Sequence, residues 1–336
     1  MRLVWFDRSC VRRMGSLLVF SFWVCACQQT EPEYASQPSL DTSPAPEAAL
    51  PPEGALREAA TDLEAGDSKA VARKLGAMQP TSPMEKAWHR LLLGEAWMDM
   101  GVQEKAVRLL LANYEELRDA RPAPEAALSR ILARSLKKLG TYYRDKQDFV
   151  EAYTLHQMQW LYMRRVGSLK DRHEALISLD IDAALLRNFF ASEQWLREAL
   201  QVALQMPEGE DRKRSLLITW NNLSASLQEL IRFPDAEAAA RESRRLSKVY
   251  DLSNQNREFR EVWALAQLAD VLSAWGQYLE TKDPKESRPT YAKAESLAIE
   301  AVMLAEQQGL SGENRAVLEQ RMRKHCGNSC RPLPAS

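Results

Sequence analysis

Leu136-Lys137-Lys138-Leu139-Gly140-Thr141-Tyr142-Tyr143, followed by Phe149 and Ala152, is the stretch on which the fold turns. Leu136, Leu139, Gly140 and Tyr143 stand three or four residues apart, the spacing that stacks side chains on one face of an α-helix. A glycine inside a helix weakens it by about 1 kcal/mol relative to alanine, so this one implies a close neighbour. Two other stretches repeat the order. Arg90, Leu93, Gly94 and Trp97 precede Gly101 and Ala106; Trp220, Leu223, Ser224 and Leu227 precede Phe233 and Ala236. The rest of the chain is also helical in character. Only 13 of 336 residues are Gly, and only 17 Val and Ile follow residue 27, too few to supply a turn-rich β-fold. Ser82-Pro83-Met84-Glu85 reads as a capping box, and Pro124, Pro234 and Pro289 as first-turn prolines. Ala236, Ala240, Ser243, Leu246 and Tyr250 form one stripe.

The three stretches resemble the tetratricopeptide repeat (TPR). A small residue on helix A lets helix B approach, and large ones fill the space towards the next pair. The resemblance implies an all-α, right-handed superhelical solenoid of antiparallel helix pairs over residues 55–325, about five to six repeats. Leu93, Gly94, Trp97, Ala106, Leu139, Gly140, Tyr143, Ala152, Trp220, Leu223 and Ala236 would be its packing positions. Gly94 and Gly140 are 46 residues apart, and Gly140 and Ser224 are 84 apart. Both exceed one and two repeats of about 34 residues, so helices or loops are extended. In the intervening repeat, setting Ala199 in helix B puts Arg187 where a small residue belongs. The last pair is expected as helix A around Trp263–Trp275, an insertion through Lys282-Asp283-Pro284-Lys285, and helix B from Pro289. Residues 55–78 read as an atypical first pair and 312–325 as a closing cap.

Residues 1–26 read as an export signal. Arg2, Arg8, Arg12 and Arg13 precede the apolar run Leu17–Val24, which is too short for a bilayer that needs about 20 residues. Val24-Cys25-Ala26-Cys27 resembles a bacterial lipobox, which implies lipidation at Cys27; ordinary cleavage after Ala26 is the competing reading. Gln28, where Asp would signal inner-membrane retention, favours the outer membrane. Residues 27–54 read as the lipidated Cys and a disordered tether, since 28–53 hold six Pro and five acidic residues without Lys, Arg or Gly. Its extended reach is ~80 Å at ~3.1 Å per residue. In the tail, 326–336, Cys326 and Cys330 are an even pair suited to a disulfide in an oxidising compartment. A metal site including His325 is the alternative, one ligand short of a tetrahedron.

The chain carries 45 Lys+Arg against 46 Asp+Glu, which offers no basic field for nucleic acid. The export signal holds four Arg and one Asp, so the chain without it has 41 basic and 45 acidic residues. No nucleophile elbow or phosphate loop occurs. His173-Glu174 opens a zinc motif but finds Ile177 where a second His is needed. Neither enzyme activity, cofactor nor metal is expected; a buried polar cluster around His156 or His173 would argue for chemistry. Trp88 and Trp263 fall on the groove side and are read as core.

In the family it resembles, helix A lines a concave groove. The groove positions by that register are Arg134, Lys137, Arg144, Asn188, Asn221, Asn222 and Gln228, a basic and amide mixture suited to an extended, acidic segment of a partner protein. The expected function is a membrane-anchored periplasmic scaffold or adaptor for pilus or secretin assembly, membrane-protein insertion or cell-wall machinery. The alternatives are a structural subunit packed through its convex face or caps, and a soluble secreted repeat protein.

Overall fold

The computed structural model describes residues 50–118, 126–249, 257–310 and 312–326. The export signal, Cys27, the tether before residue 50, Pro124, Tyr250 and Cys330 lie outside the described residues. Among the described residues there are thirteen helices and no strand: α1 (Ala55–Glu64), α2 (Ser68–Gly76), α3 (Pro83–Asp99), α4 (Gln103–Arg118), α5 (Ala126–Asp145), α6 (Phe149–Val166), α7 (Leu169–Leu185), α8 (Phe189–Gln205), α9 (Glu210–Glu229), α10 (Phe233–Val249), α11 (Arg257–Lys282), α12 (Pro284–Gln307) and α13 (Gly312–Cys326). They form six A/B pairs, α1/α2 to α11/α12, closed by α13, which packs on both α11 and α12.

The helices begin where the local chemistry allows. Ser82 caps α3 by accepting from the Glu85 N–H at 3.1 Å, while Glu85 accepts from the Ser82 N–H, the expected capping box. Asp148 and Asn188 cap α6 and α8 by accepting from the Glu151 and Ala191 N–H groups.

One register runs through the first five pairs. Ala59, Gly94, Gly140, Asp180 and Ser224 each face a B-helix residue 12 positions later: Val71, Ala106, Ala152, Ser192 and Ala236, all buried. The glycines are forced. A Cβ on Gly140 would lie 2.5 Å from His156 Nε2, and one on Gly94 would lie 3.0 Å from Leu110 Cδ2. Seven positions after each small residue comes a left-handed residue: Gly66, Gly101, Gln147, Arg187 and Ile231. The next N–H then bonds back five residues, as Asp148 to the Tyr143 carbonyl (2.9 Å) and Asn188 to the Ala183 carbonyl (2.8 Å). This is a Schellman closure, and it recurs at the A–B turn of each of the first five pairs.

This register corrects the sequence reading of the fourth pair. Arg187 is the left-handed turn residue, and the small position belongs to Asp180. Ala199 lies seven residues beyond Ser192 on the same face of α8 and is equally buried, so two turns of helix disguised the offset. The last pair is corrected as well. There is no insertion; α12 begins at Pro284 directly after Asp283, and Pro289 sits inside it. With that turn one residue shorter, the contacts shift by one: Ser287 Oγ donates to the Gly276 carbonyl at 3.0 Å, and Tyr291 covers Gly276.

Leu93, Leu139 and Leu223 are buried, as are Leu91, Leu92, Leu132, Leu136, Leu176 and Leu179. Each such leucine contributes about 1.5–3 kcal/mol on burial. Trp97, Tyr143 and Trp220 are half-buried against this core, and Trp88 is buried within it. Successive A helices touch one another from α1 to α11, whereas among the described residues no B helix touches the next B helix. The A helices therefore line the inner side of the curve.

Candidate functional site

The inner face follows from helical periodicity. Residues six and three before the small position, and one and four after it, share the stripe that faces away from helix B. On α5 these are Arg134, Lys137, Thr141 and Arg144; on α7, Glu174, Ile177, Ile181 and Ala184; on α9, Ile218, Asn221, Ala225 and Gln228.

The charges on this face are spent within the chain. Arg134 reaches Glu95 of α3 at 2.7 Å and lies over the Trp88 ring at 5.8 Å. Lys137 reaches Glu174 of α7 at 2.6 Å. Arg144 reaches Asp182 at 2.6 Å and donates to the Ser178 carbonyl at 3.0 Å. At the far end, Arg321 and His325 of α13 both hold Asp270 of α11. The cations expected to meet an acidic partner thus tie α5 to its neighbouring A helices, α3 and α7.

A polar cluster at His156 does exist. The ring is fully buried in the cradle left by Gly140; Nδ1 pairs with the buried Asp182 carboxylate, and Nε2 faces the Lys137 carbonyl at 3.3 Å. Asp182 also holds Arg144, so α5, α6 and α7 meet at one carboxylate. Every member is turned inward on another member, with only the half-buried Arg144 near the surface. The arrangement fastens α5, α6 and α7 to one another.

A second network joins α7, α8 and α9. Asp180 accepts from Ser192 Oγ at 2.6 Å and from Asn222 Nδ2 at 2.8 Å, and Ser192 meets Ser226 at 2.5 Å. Burial pushes the Asp180 carboxyl up to about 6 against these bonds. His173 bonds Thr219 of α9 at 2.8 Å, and burial pushes its imidazole down to about 4.

Two expected groove residues are therefore elsewhere. Asn188 is the N-cap of α8, in the A–B turn, accepting from the Ala191 N–H at 3.2 Å. Its misplacement follows from the Arg187 offset. Asn222 points at Asp180. Asn221 and Gln228 do lie on the inner stripe, half-buried and without a polar partner in the described chain. The uncharged wall beside them, Ile177 and Ile181, was missed; recognising Asp180 as the small position would have found it. Cys326 ends α13, and His325 beside it faces Asp270. Among the described residues no group of three or more His, Cys, Asp or Glu could hold a metal ion.

No protein-family model and no curated protein matches the sequence. Solved structures do. The chain is similar to the apo form of RapI, with a TM-score of 0.60 at 11% identity over 82% of this chain and 70% of RapI. It is similar to BtubC (BKLC) from P. vanneervenii, with a TM-score of 0.50 at 13% identity over 76% of this chain and 92% of that one. It is also similar to a signal-transduction ATPase with a tetratricopeptide repeat sensor from Pyrococcus horikoshii, with a TM-score of 0.52 at 13% identity over 81% of this chain and 41% of that one. At such identities the likeness is one of fold: the chain is an all-α solenoid of TPR-like helix pairs.

Proposed function

We propose that this protein is an interaction scaffold that holds an extended segment of another protein against its A helices. The observation that carries the reading is the inner stripe of α7 and α9, where half-buried Ile177, Ile181 and Ala225 share a face with the amides of Asn221 and Gln228, which have no polar partner among the described residues. Free amides beside apolar surface suit a peptide backbone, which offers N–H and C=O groups in alternation.

The scaffold acts at the cell envelope in this reading. The lipobox-like Val24-Cys25-Ala26-Cys27 would supply a lipid anchor at Cys27 on the periplasmic face of the outer membrane, and residues 28–54 the reach. No described helix is long and apolar enough to cross a membrane. The partner would belong to an envelope assembly of the pilus or secretin, membrane-insertion or cell-wall class. Cys27→Ser should release the protein from the membrane fraction; unchanged fractionation would remove the anchor.

One observation favours the second reading, a subunit packed permanently into a complex. Val150, Phe190 and Ile231 are 66%, 72% and 58% exposed, and all three sit at A–B turns of consecutive pairs. A row of apolar residues on one edge is the kind of surface that packs. A pair of variants separates the two. If the groove binds, Ala225→Arg abolishes recovery of the crosslinked partner from native membranes and Phe190→Ser leaves it intact. The reverse pattern assigns the contact to the turn edge.

A further inference from the structure

The inner face is divided by charge, and the division says what kind of segment it takes. On α3 and α5 it carries Glu95, Arg134, Lys137 and Arg144, each satisfied by a partner in this chain. On α7 and α9 the positions three before and one after the small residue are Ile177, Ile181, Asn221 and Ala225, followed on α9 by Gln228, none of them charged; charge returns on α11 with Asp270 and Glu280. The nearest ions to this stretch are already neutralised: Glu174 by Lys137, Asp182 by Arg144, and Glu229 by Arg187 at 3.5 Å. A charged side chain placed here would lose water and meet no counter-charge. An aliphatic one would cover what Ile177, packed in part against the core, and half-buried Ile181 leave open.

Resting on the groove reading above, we infer that the partner segment is an extended strand whose groove-facing side chains are uncharged and aliphatic, seated between α7 and α9 and held at its backbone by Asn221 and Gln228. The acidic segment suggested by counting basic residues in the sequence is disfavoured, because those residues are committed to the chain itself. Asn221 and Gln228 are seven residues apart on one helix face, roughly 10 Å at 1.5 Å per residue. That matches about three residues of extended chain at 3.3 Å each, so one segment can meet both amides.

The test uses three labelled hexapeptides, read by fluorescence anisotropy against the full chain without its export signal. The first alternates threonine and isoleucine; the second and third replace the isoleucines with glutamate or lysine. The expected result is binding of the uncharged peptide at least about tenfold tighter than either charged one. Asn221→Ala with Gln228→Ala should weaken it about tenfold, whereas Lys137→Gln should leave it unchanged. Tighter binding of the glutamate peptide, lost in Lys137→Gln, would overturn this inference and leave the groove reading standing. Equal binding of all three, or retention in the Asn221/Gln228 double variant, would also overturn it. Failure of all three to bind, with the crosslinked partner still lost in Ala225→Arg, would overturn the peptide chemistry alone. Failure in both experiments would overturn the groove.

Discussion

Gly140 and Gly94 occupy the same register position but face different neighbours. At Gly94 an added methyl meets Leu110 Cδ2 and Cγ, both 3.0 Å away, on an aliphatic side chain with no polar bond to lose, which need yield only a few tenths of an ångström. At Gly140 it meets the His156 ring, which cannot move without leaving the buried Asp182 carboxylate. Alanine improves helix propensity by about 1 kcal/mol at either site, while overpacking costs about 1–3 kcal/mol where nothing yields. Gly94→Ala should therefore be close to neutral in urea unfolding and Gly140→Ala destabilising by about 2 kcal/mol. Similar losses in both would mean that the His156 cradle has no special rigidity. The sequence disclosed that both glycines admit a close neighbour. It could not disclose that one neighbour is an ionisable ring, because His156 lies 16 residues away on a different helix.

At the scale of elements, α7 was the least legible. Its small position is filled by Asp180 and the facing alanine by Ser192, so the usual pair of small apolar residues is replaced by a hydrogen bond at 2.6 Å. A search for small residues passes over it. Charge counting failed on α5 for a related reason. Arg134, Lys137 and Arg144 have partners 37 to 39 residues away on the neighbouring A helices, which no local pattern discloses. Capping, by contrast, is local, and Ser82 to Glu85 was readable directly. The Asp180 network gives α7, α8 and α9 a defined response to pH. Its folded carboxyl titrates at about 6 against an unfolded 3.8, so the folded state holds the proton more tightly. That stability is fully present below pH 3.8 and lost as pH rises through 6, on the order of 3 kcal/mol. His173 acts at the other end: its folded value of about 4 lies below the unfolded 6.5, so stability is present above 6.5 and lost as pH falls towards 4. Asp180→Asn should raise stability at pH 7.5 and change little at pH 4. Equal effects at both pH values would show that folding does not raise the Asp180 carboxyl.

For the whole molecule, the six pairs and closing helix were legible because the repeat states the same packing problem several times. Curvature and the inner face follow from A helices that touch while B helices do not. The inner stripe was legible only in part, since Asn221 and Gln228 were placed on it and the isoleucines were not. If the inner face, and no other, receives the partner, a photo-crosslinking side chain at Ala225 on α9 and one at Met303, exposed on α12, will differ on irradiation of intact cells. The expected result is a discrete protein adduct from position 225 and none from position 303. An adduct from 303 with none from 225 would contradict it.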